Sequence, residues 1–418
     1  MSNEKLDKAP FDNVSRRNVF GIGSALAAAA LAGVAANAQE IRSSDHHLPN
    51  ETDPGPKNSV LASENRDSVW SPETDNGTVA PFKYSFALAH KRIDTGGWTR
   101  QVTVRDLPIA KTLAGVEMRL TAGGVRELHW HLPAEWAMML YGNARITAVD
   151  QQGRSFVDDV GEGDLWLFPP GVPHSIQGLG PDGCQFLLVF NDGNFDEFET
   201  FLITDWITHT PKDVLAKNFK VPASTFDNVP KTAPYIFQSG LPGDLKLEQA
   251  QAAQGTGVVP RSYAFRTGAM KPNKATPGGE VKIIDSTNFP VTPISTAIVR
   301  LKPGGLRELH WHPNADEWQY YIGGKGRMTV FSAGTRARTM DVQEGDVGYV
   351  LKSSPHYIEN TGDTDLVFLE MFNTDRYEDI SLAEWMSHTP HLLVDQHLHV
   401  GKAMIDAIPK QEAVVTPL

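Results

Sequence analysis

One block of sequence is written twice, and it limits the possible folds more than any other feature. Gly123-Gly124-Val125-Arg126-Glu127-Leu128-His129-Trp130-His131 returns as Gly304-Gly305-Leu306-Arg307-Glu308-Leu309-His310-Trp311-His312, an offset of 310 − 129 = 181 residues. Asp205-Trp206-Ile207-Thr208-His209-Thr210-Pro211 returns as Glu384-Trp385-Met386-Ser387-His388-Thr389-Pro390, offset by 385 − 206 = 179. Tyr84-Ser85-Phe86 pairs with Tyr263-Ala264-Phe265, and Pro230-Lys231 with Pro409-Lys410. A repeat on this scale means one structural unit built twice, over roughly 82–231 and 261–410. A chain of 418 residues is also long enough for two domains.

Within each unit the segments are short and alternating. Ala144–Val149 and its counterpart Gly326–Phe331 alternate small or apolar residues with polar ones, as half-buried strands do. Asp164–Pro169, Asp346–Val350 and Cys184–Phe190 also read as strands. With 36 Gly and 28 Pro as turn punctuation, the pattern predicts an all-β sandwich or barrel, jelly rolls included. Helix is expected only in short stretches, around Glu197–Ile207, Ser381–Ser387 and 390–408.

Each unit carries His-x-His, a carboxylate shortly after, and a third His further on. The sets are His129, His131, Glu135 and His174, and His310, His312, Glu317 and His356. In a strand, residues i and i+2 face the same side, so each His-x-His pair aims two imidazoles together. Three imidazoles and one carboxylate leave open positions on a six-coordinate ion. That donor set suits Mn or Fe, with Zn, Ni and Cu also possible. The intervening Trp130 and Trp311 face the other way.

The remaining composition narrows the setting. Formal charge is 38 − 50 = −12 with no basic block, so neither nucleic acid nor an anionic membrane surface is an expected partner. The single cysteine, Cys184, lies in an apolar strand and reads as a buried, inert thiol. Residues 1–38 read as a signal peptide resembling the twin-arginine type. Arg16-Arg17 precede a weakly apolar Gly21–Ala35 run, and Ala36-Asn37-Ala38 offers a cleavage site. The expected location is therefore periplasmic or extracellular, in a bacterium. Such a route exports folded protein, so manganese, a weak binder in the divalent series, would be loaded before export. Residues 39–80 are polar and read as a flexible arm, with His46 and His47 as solvated tail residues. The expected domains are then 81–235 and 236–418.

The units resemble the cupin superfamily, and within it the bicupin oxalate decarboxylases. The first cupin motif fits from Gly123 to Gly142 and from Gly304 to Gly324. The second fits from Gly163 through Pro169, Gly171 and His174, and from Gly345 to His356 and Asn360. It departs at Gln177-Gly178 in the first unit and at Leu351 and Ser353 in the second, positions of turn geometry rather than ligands. The resemblance implies two tandem jelly-roll β-barrels, each holding one manganese ion on the four residues named above. It implies decarboxylation of oxalate to formate and CO2 with dioxygen as co-catalyst.

The resemblance also assigns roles to other residues. Arg126 would hold the substrate carboxylate and take part in catalysis, and Arg307 would bind substrate at the matching place in the second unit. Strand alternation alone puts both arginines outside, unless a bend or bulge at Gly123-Gly124 and Gly304-Gly305 reorients them; a surface or structural ion pair is the other reading. Asp196-Glu197-Phe198-Glu199-Thr200 matches the family's lid, with Glu197 as proton shuttle, Thr200 as the lid Thr and Asp196 where Ser is usual. Three carboxylates in four residues would raise one another's pKa by repulsion. Glu370 matches the family's acidic residue in the second unit and is a further candidate catalytic residue, with Tyr377 nearby; the resemblance implies a second site that is structural or electron-relaying, with secondary catalysis also open. Trp130 and Trp311 would either pack or pass electrons between subunits, and Trp166 would pack or wall the pocket. A homo-oligomer, trimer or hexamer, is implied. The alternatives are an oxalate oxidase releasing hydrogen peroxide, a bicupin dioxygenase, and a non-catalytic metal-binding bicupin. Glu197 argues against the first, the doubled Arg-Glu-Leu-His-Trp-His against the second, and eight intact ligands against the third.

Overall fold

The computed structural model describes Asn58, Val60, Pro72 and residues 74–417. The expected signal peptide, His46 and His47 lie outside the described residues. The chain forms β1 (Lys83–Ser85), β2 (Lys91–Asp94), β3 (Gly97–Val102), β4 (Ala114–Leu120), β5 (Gly124–Trp130), β6 (Glu135–Val149), β7 (Ser155–Gly161), β8 (Leu165–Phe168), β9 (His174–Gly178) and β10 (Cys184–Phe190). β11 (Phe201–Leu202) and β12 (Ile236–Gln238) follow. The second repeat forms β13 (Ala264–Phe265), β14 (Lys274–Thr276), β15 (Gly279–Ile284), β16 (Ser295–Leu301), β17 (Leu306–Trp311), β18 (Glu317–Gly323), β19 (Lys325–Ser332), β20 (Arg336–Gln343), β21 (Asp346–Val350), β22 (His356–Asn360), β23 (Leu366–Phe372), β24 (Ile380–Ser381) and β25 (Val415–Thr416).

Every pairing between these strands is antiparallel, and each repeat closes into a two-layered barrel. In the first, β8-β6-β10-β4-β3-β2 form one layer and β7-β6-β9-β5 the other. The long β6 serves both layers by bending at Gly142, where φ is +73° and an added Cβ would lie 2.0 Å from the Gly183 carbonyl. In the second repeat the same corner is Gly324, φ +87°, and it divides β18 from β19. There the layers are β21-β18-β23-β16-β15-β14 and β20-β19-β22-β17.

The barrels exchange strands. β1, in the lead-in to the first repeat, pairs with β21 of the second, Tyr84 facing Val347. β13, in the lead-in to the second, pairs with β8 of the first, Ala264 facing Trp166. β12, just past residue 235, runs along β5, and β25 runs along β17 in the same way. One apolar core fills the first barrel around Ile146, Ile176 and Phe186, and another the second around Val299, Ile358 and Phe368. A third layer of Trp136, Leu165, Leu187, Trp318, Val347 and Leu369 lies between them. Each such side chain contributes roughly 1.5–3 kcal/mol by leaving water. Tyr320 Oη reaches across to the buried Glu117 at 2.5 Å, and Arg100 neutralises that carboxylate.

The helices are short. Ile203–Thr208, Leu382–His388, His391–Leu398 and Gly401–Ala407 fall where the sequence suggests. Lys212–Phe219 and Leu245–Ala252 are additional; one buries only Leu215 and the other nothing, so neither writes an apolar stripe. Cys184 is buried and free, and burial pushes its thiol up to about 12, which keeps it protonated and inert.

Candidate metal centres

The four histidine and glutamate side chains expected in each repeat converge. In each set the ligand atoms lie within 4.8 Å of one another, and all eight residues are buried. β5 delivers His129, and His131 follows it; Glu135 opens β6 and His174 opens β9. The second site is assembled identically from β17, β18 and β22. His129 and His174 are cross-strand partners, as are His310 and His356.

Backbone carbonyls fix each imidazole. Nδ1 of His129 bonds Glu127 O at 2.6 Å, His131 bonds Pro133 O at 2.8 Å, and His174 bonds Val172 O at 2.7 Å. In the second site His310 bonds Glu308 O at 2.6 Å, His312 bonds Glu378 O at 2.8 Å, and His356 bonds Ser354 O at 3.0 Å. A carbonyl only accepts, so Nδ1 carries the proton and Nε2 presents a lone pair to the centre. Nε2 of His174, His310, His312 and His356 are buried without a hydrogen-bond donor. Converging lone pairs that nothing protonates fit a cation. Burial pushes His129, His174 and His310 below the usual imidazole range. Burial alone would raise Glu135, but His174 and His131 outweigh it and hold that carboxyl at about 2. Those three imidazoles and the Glu135 carboxylate are thereby kept in the protonation states that metal binding requires, whereas at His312 burial is outweighed by the hydrogen bond and charge of Glu317, which raise it.

Arg126 and Arg307 are both buried, not exposed. The bend or bulge expected at the glycine pair is a bulge, but it lies further along the strand, at a register shift between Arg126 and His129 that is repeated between Arg307 and His310. This bulge at Glu127-Leu128 resets the alternation, so Arg126, Glu127 and His129 are all buried while Leu128 is exposed.

The two arginines then meet different partners. Arg126 lies over the Tyr235 ring, 3.8 Å from its centroid, with one contact to Tyr235 O at 3.3 Å. Arg307 is saturated: Nε bonds Glu370 at 3.0 Å, and Nη2 bonds Asp379 at 2.8 Å and Tyr377 Oη at 2.7 Å. Burial raises the Glu370 carboxyl, against the pull of Arg307.

Glu197 sits in a single 3-10 turn, Glu197–Glu199, capped by Asp196, which accepts from the Phe198 amide. It is 5% exposed and lines the same pocket as Arg126, His129 and Thr200. Tyr235 Oη donates to Glu197 Oε2 at 2.9 Å. Burial raises the Glu197 carboxyl, and Tyr235, Thr99 and two arginines partly offset this. The cause is desolvation rather than the mutual repulsion expected from the acidic run, because Asp196 is paired outward with Arg105 at 2.7 Å. Trp130 stacks on Phe201 and meets Trp206 edge-on, Trp311 meets Trp385 edge-on, and Trp166 is buried core.

The sequence reading missed Tyr235, Asp379 and Gln319. Tyr235 joins Arg126 to Glu197, yet the matching backbone position is Val414, so the repeat gave no signal.

Two barrels of this topology, each with a His3Glu centre, define a two-domain metal-binding cupin. The chain belongs to the cupin family, whose model matches residues 86–226 and 267–406. Within that family it falls among the bicupin oxalate decarboxylases. It is 51% identical to oxalate decarboxylase OxdC of Bacillus subtilis (strain 168), over 85% of this chain and 92% of that protein. It is 36% identical to an oxalate decarboxylase of Arthroderma benhamiae, over 95% of this chain and 99% of the other. The solved structure of the Bacillus subtilis oxalate decarboxylase at pH 4.6 superposes with a TM-score of 0.86 at 50% identity, covering 89% of this chain and 97% of that one. Another solved structure of the Bacillus subtilis protein is described by its Mn(II) centres.

Proposed function

We propose that the chain converts oxalate to formate and CO2 at its N-terminal centre, with manganese held by His129, His131, Glu135 and His174. A second manganese is held by His310, His312, Glu317 and His356. The observation that carries this reading is the convergence of Arg126 and Glu197 on the N-terminal histidines.

The reaction breaks one C–C bond. One oxalate dianion and one proton give one CO2 and one formate, so a proton must reach carbon. Bound manganese supplies Lewis acidity and redox capacity, with dioxygen as co-catalyst. The protein supplies the rest. The Arg126 guanidinium, which has no carboxylate hydrogen-bond partner among the described residues, offers a bidentate fork to a carboxylate of oxalate. Its fork is oriented by Tyr235. Glu197 holds the proton: burial favours its neutral form, and the Tyr235 hydroxyl steadies the carboxylate left behind. Within the turn only Glu197 is buried, and it lines the pocket while Phe198 lies exposed. At the C-terminal centre Glu370 and Asp379 already neutralise Arg307, so that arginine has no charge to spare for a dianion, and the site supports structure or electron relay.

We further infer export through the N-terminal signal. Among the described residues no helix is long and apolar enough to cross a membrane. Trp206 and Trp385 are 66% and 58% exposed at equivalent places beside Trp130 and Trp311, which suits contact between copies in a trimer or hexamer.

The test is to supply oxalate at mildly acidic pH and quantify formate, CO2 and hydrogen peroxide, with metal analysis of the same sample. Near-stoichiometric formate supports the reading. Glu197→Gln should lower formate output by about 100-fold or more. Peroxide without formate would replace the decarboxylase reading with the oxidase, and no turnover by manganese-loaded protein would overturn both.

A further inference from the structure

The two centres share four ligands but differ in what stands behind the carboxylate. In the C-terminal site Glu317 Oε2 faces the imidazoles, 3.2 Å from His312 and 2.7 Å from His356. Its other oxygen, Oε1, accepts from the Gln319 amide at 2.7 Å. Gln319 is itself fixed, because Tyr321 Oη donates to its carbonyl at 2.6 Å. Glu317, Gln319 and Tyr321 follow one another at i, i+2 and i+4 on β18, share a face, and are all buried. In the N-terminal site the same face of β6 reads Glu135, Ala137 and Met139. Glu135 Oε2 faces His131 at 3.1 Å and His174 at 3.4 Å, but neither Ala137 nor Met139 has a donor for Oε1.

The difference is built in from two strands. Gln319 pairs across the sheet with Gly348, where an added Cβ would lie 2.3 Å from the Gln319 amide oxygen. Ala137 pairs with Trp166, whose fully buried indole fills the first barrel at the matching place. Glutamine opposite glycine in one barrel and alanine opposite tryptophan in the other are alternative ways to fill one space. Only the first leaves room for a hydrogen-bonded clamp.

We infer that the two metal centres are unequal, with Gln319 clamping the Glu317 carboxylate so that the C-terminal ion is retained while the N-terminal ion exchanges. A carboxylate already held in its binding rotamer loses less freedom when it takes a cation, and it cannot swing off the ion without breaking a charge-assisted hydrogen bond. Glu135 has no such restraint from its own strand. Gln319 is thus a positioning residue acting through Glu317. The inference rests on the metal-binding reading above.

The test follows metal release from the manganese-loaded full chain mixed with excess chelator. The wild type should release its ions in two phases of one ion each per chain, with rates differing by about 10–100-fold. Gln319→Leu keeps the bulk and removes the amide, and it should bring the slow phase up to the fast one. Tyr321→Phe removes only the hydroxyl that holds Gln319, and it should speed the slow phase alone; it stands as the test if Gln319→Leu fails to fold. A single release phase in the wild type, or a slow phase untouched by both substitutions, would overturn the clamp. A chain that never takes up two ions would be seen before chelator is added, and it would overturn the metal-binding reading together with the clamp.

Discussion

Arg126 and Arg307 hold the same position in the repeat and have opposite surroundings, so the same substitution should do different things. Arg126→Gln removes a guanidinium with no carboxylate hydrogen-bond partner among the described residues. It should leave the fold nearly intact and lower kcat/KM for oxalate by about 10–100-fold, the loss of a charged hydrogen bond worth roughly 1.5–3 kcal/mol. Arg307→Gln strands Glu370 and Asp379 in a buried site and should cost about 3–5 kcal/mol in urea unfolding. Glu197 gives a pH prediction. Its carboxyl is raised by burial, so below the ordinary Glu range both folded and unfolded forms are protonated and its burial carries no ionisation penalty. As pH rises through the folded value, the folded protein must ionise a buried group, and stability is lost. Glu197→Gln should therefore melt higher than the wild type near neutral pH, with the gap closing below about pH 4. A gap that widened on acidification would contradict the assigned cause. The two clusters of histidine and glutamate were legible because strand period and spacing announce them. The arginines' inward turn was not, since a one-residue bulge changes the facing without changing the sequence pattern.

At the scale of elements, that bulge is held by a side chain. Glu127 is buried and accepts from the Thr204 amide at 3.0 Å and the Tyr235 amide at 3.1 Å. It therefore ties β5 both to the helix after the Glu197 turn and to the entry of β12. Glu308 repeats the device with the Val414 amide at 2.7 Å and Ser381 Oγ at 3.0 Å. Tyr235 and Val414 have positive φ, 54° and 63°, a conformation that non-glycine residues keep only when something holds it. Glu127→Ala would leave two buried N–H groups unpaired, so a loss of about 2–4 kcal/mol is expected in denaturant titration. It should also lower formate output, because Tyr235 orients both Arg126 and Glu197; full stability would show that the bulge is held by the sheet alone. The glutamate was visible in the doubled Arg-Glu-Leu-His-Trp-His block, yet nothing in that block says which amides it serves, because Thr204 and Tyr235 are 77 and 108 residues away. The extra helices escaped for the opposite reason: they bury so little that no periodicity records them.

At the largest scale, the described residues form two barrels that cannot be separated cleanly. β1 is hydrogen-bonded into the second barrel and β13 into the first, and the apolar layer around Trp136 and Trp318 belongs to both. The duplication suggests two independent units, since the exchanged strands are short and their pairing partners lie in the other repeat, where local pattern cannot point. Unfolding one barrel would strip a strand from the other, bare its half of the shared layer, and break the Tyr320–Glu117 hydrogen bond between them. The interface thus couples the halves more strongly than the differences between them separate them, and metal-stripped protein should unfold in one transition, with calorimetric and van't Hoff enthalpies in agreement. Restoring metal should raise that transition by binding only the folded state, by about 2.7 kcal/mol at a free concentration a hundred times Kd. The second repeat expressed from residue 236 onward would lack β1 and present the edge of β21 as an open template, so it should aggregate where the full chain stays monodisperse. Two resolved transitions in the stripped full chain, or a soluble and folded second repeat, would show that the exchange is decorative and that each barrel stands alone.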